Sequence, residues 1–407
     1  MQRQRFLLGT AALGIATTAR IAAEPLPRAQ IELGNEVFLA RAWRDLGGRT
    51  VGVIANQSGV TSRLESIVDA ILRHGQISIK AIYAPEHGFR GDRGAGASVA
   101  SYVDPQTHLP VYSLYGASRH PSAAMLEGVD VLLFDIQDVG SRAYTYISTM
   151  AYAMQSAKMY GKEFWVLDRP NPIGGAVEGP VLEPAYESFI GLYPIPMRHG
   201  MTVGELAMLF NQQFGIGAKL RVIKMDGWRR SMIWPDTGLQ WVQTSPNIPE
   251  WQTTFVYVGT GLLDSAGINN GSGFTKPFFL AGALGIDGGR LAARLNARNL
   301  PAVWFRPTAW SPLLGFWKDR ELTGVELHVF APRRFVAVRT AVEILVAIRE
   351  LFPHAIDIAS VSGLDRDWGT DSFRQALLAG TTPEAIVAQW APAVADFAAM
   401  RRRYLLY

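Results

Sequence analysis

Cysteine is absent from this 407-residue chain, which excludes disulfides, thiolate-held metals, iron–sulfur clusters and a thiol nucleophile, while leaving the compartment open. The seven histidines contain no His-x-x-x-His pair, so metal-ligand spacing is missing and no metal is expected. Charged residues amount to only 18%, with no Lys/Arg-rich block and with aromatics scattered, so the footprint of a nucleic-acid binder is lacking. The Arg401-Arg402-Arg403 cluster reads as the last turn of a helix, where cations suit the dipole. Beyond the N-terminal segment no stretch reaches about 18 uninterrupted apolar residues, so no membrane-spanning helix is expected in the mature chain. The glycine-rich stretch ending Gly94-Ala95-Gly96-Ala97-Ser98-Val99 lacks the last glycine of a dinucleotide fingerprint and no Walker-type Gly-Lys-Ser/Thr follows. A Gly-x-Ser-x-Gly elbow is missing too. No cofactor is expected, and an oxidoreductase stays a distant alternative resting on fold alone.

What is present describes a globular protein: 48% of residues are apolar, enough for large cores. The length favours two domains, read as 31–253 and 254–407. Arg3 and Arg5 precede an apolar run over 6–16 and small residues through Ala23, which reads as a signal peptide over 1–23. Arg3-Gln4-Arg5-Phe6-Leu7 resembles a twin-arginine signal with one arginine replaced. Cleavage removes Arg3, Arg5 and Arg20 and no acid, taking the formal charge from +4 to +1. An exported protein, periplasmic or extracellular, is the expectation.

Between residues 50 and 171, short apolar runs at 51–55, 79–84, 129–136 and 164–167 alternate with helix-period segments at 64–72 and 146–160. That alternation predicts an α/β fold, a Rossmann-like open parallel sheet. Gly75 and Gly161 stand where helix C-caps belong, and Thr202 with Glu205 has capping-box spacing. A strand is expected at 220–225, then a Trp- and Pro-rich irregular stretch over 227–273. The remainder reads as a smaller C-terminal α+β domain: helices near 290–296, 341–352 and 383–403, and strands at 303–305 and 324–330.

Each run of the first half ends in polar groups: Asn56-Gln57, Glu86-His87, Asp135 to Asp138, and Asp168-Arg169 with Asn171. Ligands of open α/β sheets bind outside the carboxyl ends of the strands, so these ends are expected to converge on one crevice. Carboxylates with arginines and aromatics are the equipment of a carbohydrate enzyme, which needs an acid for the leaving oxygen and a group to stabilise an oxocarbenium-like centre. Glu86 suits the acid. His87, His120 and His199 read as hydrogen-bonding residues.

Longer motifs strengthen this reading. Asn56-Gln57-Ser58-Gly59-Val60, Pro85-Glu86-His87-Gly88-Phe89-Arg90-Gly91, Asp135-Ile136-Gln137-Asp138-Val139-Gly140-Ser141-Arg142, Asp168-Arg169-Pro170-Asn171-Pro172, Arg198-His199-Gly200-Met201 and Ser245-Pro246-Asn247 resemble the NamZ-type exo-β-N-acetylmuramidases. The resemblance runs from about Val51 to Tyr407. It implies an exo-acting hydrolase that releases non-reducing terminal N-acetylmuramic acid from peptidoglycan-derived saccharides or muropeptides, with its cleft between the two domains. Glu86 aligns with the family's catalytic glutamate; Asp135, Asp138 and then Glu178 are the further acids.

For the lactyl carboxylate of muramic acid, a planar guanidinium is expected from Arg90, Arg142, Arg169 or Arg198. For the acetamide, Asn270, Tyr144 or Tyr146 is expected if the substrate's own acetamido group assists the reaction. Asn247 and His199 complete the expected binding set. Where the family reads Ser-Glu-Gly-Arg-Gly-Thr, this chain has Asn269-Asn270-Gly271-Ser272-Gly273-Phe274. That departure supports a rival expectation, a muropeptide-binding or sensing protein with weakened catalysis.

Overall fold

The computed structural model describes residues 29–94, 96–97, 100–315, 317–356, 358 and 363–407; the expected signal peptide lies outside them. The apolar runs form a seven-stranded sheet. Its strands are β1 (Val51–Ala55), β2 (Ile79–Ala84), β3 (Tyr102–Val103), β4 (Pro110–Ser113), β5 (Val131–Asp135), β6 (Glu163–Leu167) and, after a small antiparallel pair β7 (Glu178–Val181) and β8 (Pro196–Arg198), β9 (Lys219–Ile223). The order is β3-β4-β2-β1-β5-β6-β9. All pairings are parallel except β3 with β4. β1 and β5 are buried at every position, as strands covered on both faces require.

Helices Ile67–His74, Tyr146–Met159 and Val203–Gln212 join these strands. Gly75 ends the first in a left-handed conformation, φ 72°, and Thr202 with Glu205 forms a complete capping box on the third. Strands β3 and β4, at one side of the sheet, escaped the sequence reading because they are only two and four residues long. The order of strand addition reverses between the parallel neighbours β1 and β5: β2 and β4 lie to one side, β6 and β9 to the other. A crevice opens at such a switch point, outside the strand ends.

In the C-terminal half, β10 (Leu280–Ala283), β11 (Val303–Trp310) and β12 (Leu322–Val329) form an antiparallel sheet ordered β10-β12-β11. Helices Gly288–Asn296, Ala337–Leu351 and Pro383–Met400 accompany it. The stretch expected to be irregular contains a helix, Trp251–Thr260. Its high aromatic and β-branched content hid the period, and tertiary packing overrides that weak propensity. One continuous apolar cluster runs from Ile54 in β1 through this helix and Val325 in β12 to Tyr404. No described helix is long and apolar enough to cross a membrane.

The chain end is built into the first half. The Tyr407 hydroxyl donates to Asp168 Oδ2 at 2.7 Å, and the Leu406 N–H donates to Glu205 Oε1 at 2.7 Å. Asp168 also accepts from Gly204 N (2.8 Å), Arg169 N (2.9 Å) and Thr202 Oγ1 (2.8 Å). Glycine is required at 204, since an added Cβ would lie 2.8 Å from the Asp168 Cγ. Burial raises the Asp168 pKa from 3.8 to about 7, against the lowering effect of the bonds from Gly204, Tyr407 and Thr202. The folded state therefore holds a proton that the unfolded chain releases. The stability this contributes is complete below the unfolded value and is lost as pH rises towards about 7. Asp168→Asn should flatten that interval of the curve, visible as a difference in urea midpoint between variant and parent across mildly acidic pH. Parallel curves would show that Asp168 does not titrate there.

Candidate active site

Glu86 follows β2 at the mouth of the crevice and is half-buried. Its Oε1 accepts from the Gly96 N–H at 2.8 Å and its Oε2 from the Thr145 hydroxyl at 3.1 Å. Three phenols share its surroundings. Burial first, and then the Glu86 charge, raise the Tyr115 pKa; burial and Glu86 together raise those of Tyr146 and Tyr257. At neutral pH these are hydrogen-bond donors, not phenolates. Tyr257 comes from the Trp251–Thr260 helix, so the C-terminal half supplies one wall of the site.

The turn that aims Glu86 is unusual. His87 and Gly88 take left-handed φ values of 72° and 77° in succession, a conformation that a histidine holds only when its surroundings compel it. A two-bond clasp does so: Arg93 N donates to His87 O at 3.3 Å, and His87 Nδ1 donates to Arg93 O at 3.0 Å. The clasped loop leads to Gly96, whose amide meets Glu86. His87→Asn should preserve more turnover than His87→Val, because asparagine tolerates positive φ and carries a donor near the Nδ1 position, whereas a β-branched residue does neither. Equal rates in the two variants, measured beside their melting temperatures, would refute the clasp as a support of Glu86.

Loop 243–244 is tied to the same region. Gln57 Nε2 donates to Gln243 O and Thr244 O at 3.0 and 3.1 Å, and Gln57 lies so close to Gly91 that a Cβ there would meet its Cδ at 2.5 Å. Tyr144 OH donates to Thr244 Oγ1 at 2.6 Å, and Tyr146 OH to Thr244 O at 2.5 Å. These two tyrosines brace the loop, which differs from the expected hold on an acetamide. Asn56 Oδ1 accepts from Ser58 N and Oγ at 2.9 and 2.6 Å, and its buried Nδ2 has no partner among the described residues.

The other expected acids and cations largely serve the scaffold. Asp135 is fully buried and grips Arg169 through Nε at 2.5 Å and Nη2 at 3.0 Å, with Asn35 Nδ2 at 2.9 Å. That removes Asp135 as a second acid and Arg169 as a carboxylate ligand, because a sugar would have to break a buried ion pair and strand one of its charges. Asp168 is closed off by the donors described above. Asn171 holds Met201 O at 3.0 Å and Ile173 N at 3.1 Å, fixing its own turn. Arg198 pairs with Glu178 and donates to Ile173 O at 2.5 Å, which removes both from the expected set.

Arg90 is bidentate on Asp104, at 3.1 and 2.8 Å. Burial disfavours the Asp104 charge, yet the bonds from Arg90 and Thr107 outweigh it and hold its pKa down to about 2. Arg142 is buried among four carbonyls, of Pro180, Ile195, Asp367 and Trp368, at 2.8 to 3.1 Å. Burial lowers its pKa to about 10. It ties β7 and β8 to the segment before the C-terminal helices. Exposed arginine motifs and buried structural ones look alike in sequence, because the partners are backbone atoms or acids far along the chain.

Asp138 is the exception among the further acids. Its Oδ2 accepts from Gly140 N at 2.7 Å and faces His199 Nε2 at 3.3 Å, while its Oδ1 is buried without a partner. His199 Nδ1 accepts from Met201 N at 3.2 Å, so the proton of the neutral ring sits on Nε2, which lies near the carboxylate without forming a hydrogen bond to it. The Asp138 charge also acts on Tyr257. Asp138, Tyr257 and Glu86 therefore belong to one electrostatic neighbourhood.

Asn270 does not reach the site. Its Nδ2 donates to Thr260 O and Gly261 O at 3.2 and 3.3 Å, and its Oδ1 accepts from Ser272 N and Oγ at 3.1 and 2.7 Å. It caps the end of the Trp251–Thr260 helix, whose last carbonyls lack intrahelical partners. Asn247 is half-buried; its N–H bonds Ser245 Oγ at 3.3 Å, and its amide has no partner among the described residues. Thr145 and Tyr257 were not legible in the sequence, since neither sits in a motif or at a strand end, and Tyr115 was not because the short strand β4 that it follows was not.

The same arrangement has relatives. Residues 51–252 match the family described as "Exo-beta-N-acetylmuramidase NamZ, N-terminal", and residues 255–407 match "Exo-beta-N-acetylmuramidase NamZ, C-terminal". The peptidoglycan beta-N-acetylmuramidase NamZ of Bacillus subtilis is 43% identical, over 99% of this chain and 98% of that protein. Crystal structures of two DUF1343 family proteins from Bacteroides fragilis are similar. One has a TM-score of 0.87 at 37% identity, covering 94% of this chain and 100% of that one. The other has a TM-score of 0.75 at 26% identity, covering 93% and 99%. With both halves matched and a relative aligned along nearly its whole length, the chain belongs to the exo-beta-N-acetylmuramidase NamZ family.

Proposed function

We propose that this chain is a glycosidase that removes non-reducing terminal N-acetylmuramic acid from peptidoglycan fragments, with Glu86 as the general acid and then the general base. The observation that carries the reading is a half-buried carboxylate at the switch-point crevice, fixed by two donors and ringed by neutral phenols. A carboxyl so placed meets a leaving oxygen from one side and is shielded from bulk water on the others. The full-length likeness to the Bacillus subtilis peptidoglycan beta-N-acetylmuramidase supports the substrate class.

The rival reading, a binding protein with weakened catalysis, loses its motive. Asn270 and Ser272 form a local cap on a helix end, which supports a scaffold role for that departure. Export is part of the proposal, supported by Arg3, Arg5 and the apolar run behind them.

The test is a pair of chromogenic substrates. The N-acetylmuramide should be cleaved and the N-acetylglucosaminide left intact; the opposite preference would sink the assignment. For the mechanism we propose assistance by the substrate's acetamido group: Asp135, Asp168 and Glu178 are occupied by their own partners, so Asp138 is the one further candidate carboxylate that a direct two-carboxylate route would have to use. Assistance requires a β-anomer as first product, readable by NMR within the first turnovers, and an α-anomer would exclude it.

A further inference from the structure

Muramic acid differs from glucosamine by a lactyl ether that carries a carboxylate, and the four arginines expected to read it are occupied inside the scaffold. Arg119 is not. It lies on the exposed segment after β4 and makes no ion pair or hydrogen bond among the described residues. Glu187, which shares the surroundings of Tyr152 with it, does not pair with it.

The guanidinium is nevertheless held. Its Cζ stands 3.8 Å from the Phe189 ring centroid and 5.7 Å from that of Tyr115. Phe189 stacks on Tyr152 at 5.8 Å, and Tyr152 stacks on His120 at 4.2 Å. Tyr115 and Phe189 are themselves 6.1 Å apart. This is an aromatic wall with a planar cation laid on it, an arrangement that fixes the plane by cation–π attraction and leaves the edge donors free. Ala84 of β2 pairs with Ser113 of β4, so Glu86 and Tyr115, each two residues further on, leave neighbouring strand ends, and Tyr115 feels the charges of both Glu86 and Arg119. The aromatic wall therefore borders the acid, and a sugar ring bound at Glu86 brings its ring substituents towards it.

We propose that Arg119, braced by Phe189 and Tyr115, binds the lactyl carboxylate of muramic acid and so sets the preference for muramic acid over glucosamine. The inference rests on the muramidase reading and names the residue responsible for its selectivity. A fork of parallel N–H donors matches a carboxylate bidentately, and an unpaired arginine does not first have to break an internal ion pair.

Arg119→Met keeps the length and apolar stem and removes the charge and the fork. Turnover of the chromogenic N-acetylmuramide should show KM raised about 10- to 100-fold, the range for a charge-assisted hydrogen-bond pair, with kcat little changed. Arg119→Lys should fall between, retaining charge without the planar fork. Inhibition by free N-acetylmuramic acid should weaken in parallel, while inhibition by N-acetylglucosamine stays as in the parent. Converting the lactyl acid to its amide should erase the difference between parent and Arg119→Met. An unchanged KM, equal losses for both sugars, or an amide as sensitive as the acid would each overturn the proposal. Failure of the parent itself to cleave the muramide would instead count against the muramidase reading, so the two failures are distinguishable.

Discussion

Glu86→Gln should reduce kcat by at least about 10²- to 10⁴-fold, the contribution of a positioned acid–base group, and leave the fold intact. The geometry explains why this variant isolates the proton. The glutamine Oε1 can still accept from Gly96 N, and its Nε2 can donate to the Thr145 hydroxyl, so both contacts of the parent carboxylate survive. What disappears is a transferable proton and a negative charge. Thr145 lies just before the Tyr146–Met159 helix, so the supporting hydroxyl is on a rigid element that the substitution does not disturb. The measurement is single-turnover hydrolysis of the N-acetylmuramide beside a thermal melt. Parent-like rates would move the acid elsewhere, and Asp138 would be the next residue to test, as the further candidate carboxylate without an arginine partner.

The largest expected loss of stability comes from Arg169→Met. Arg169 and Asp135 are both buried, with side-chain exposures of 3% and 0%. Removing the guanidinium leaves Asp135 with Asn35 alone and also takes from the Val60 carbonyl one of its two donors, leaving Asn35 Nδ2 at 3.0 Å. Breaking a buried pair in this way costs about 3–5 kcal/mol, because the remaining charge is buried without a counter-charge. The urea midpoint should fall accordingly. The companion Asp135→Asn/Arg169→Met should recover part of the loss, since the stranded charge is then removed as well. A single-variant loss below about 1 kcal/mol would mean that water or another donor reaches Asp135. If the variant bound muramic acid more weakly while melting like the parent, Arg169 would be a ligand after all.

Glu86 and Arg169 both stand at strand ends, and from sequence alone they were equally good candidates for the crevice. Strand positions were legible because β1, β2, β5 and β6 are covered on both faces and so read as near-continuous apolar runs. Helix ends at Gly75 and Thr202 were legible because left-handed backbone and capping boxes demand particular residues. The Trp251–Thr260 helix was not, and with it went Tyr257, a wall of the site.

Local chemistry therefore determined the α/β alternation, the strand ends and the placing of Glu86 at one of them. These depend on residues within a few positions of one another. Tertiary structure decided which polar side chains remain available. Arg142, Arg169 and Arg198 are claimed by carbonyls and acids that the fold brings from distant segments, Asp135 by Arg169 and Asn35, and Asn270 by the end of the preceding helix, whereas Arg119 meets only aromatic faces among the described residues. The physical reason is that a charged or amide group left in a low-dielectric interior must find a partner, and the partner's identity depends on which segments pack together. A motif specifies that a donor or acceptor is present; only the packed chain specifies whether it still has a hydrogen bond to offer a substrate.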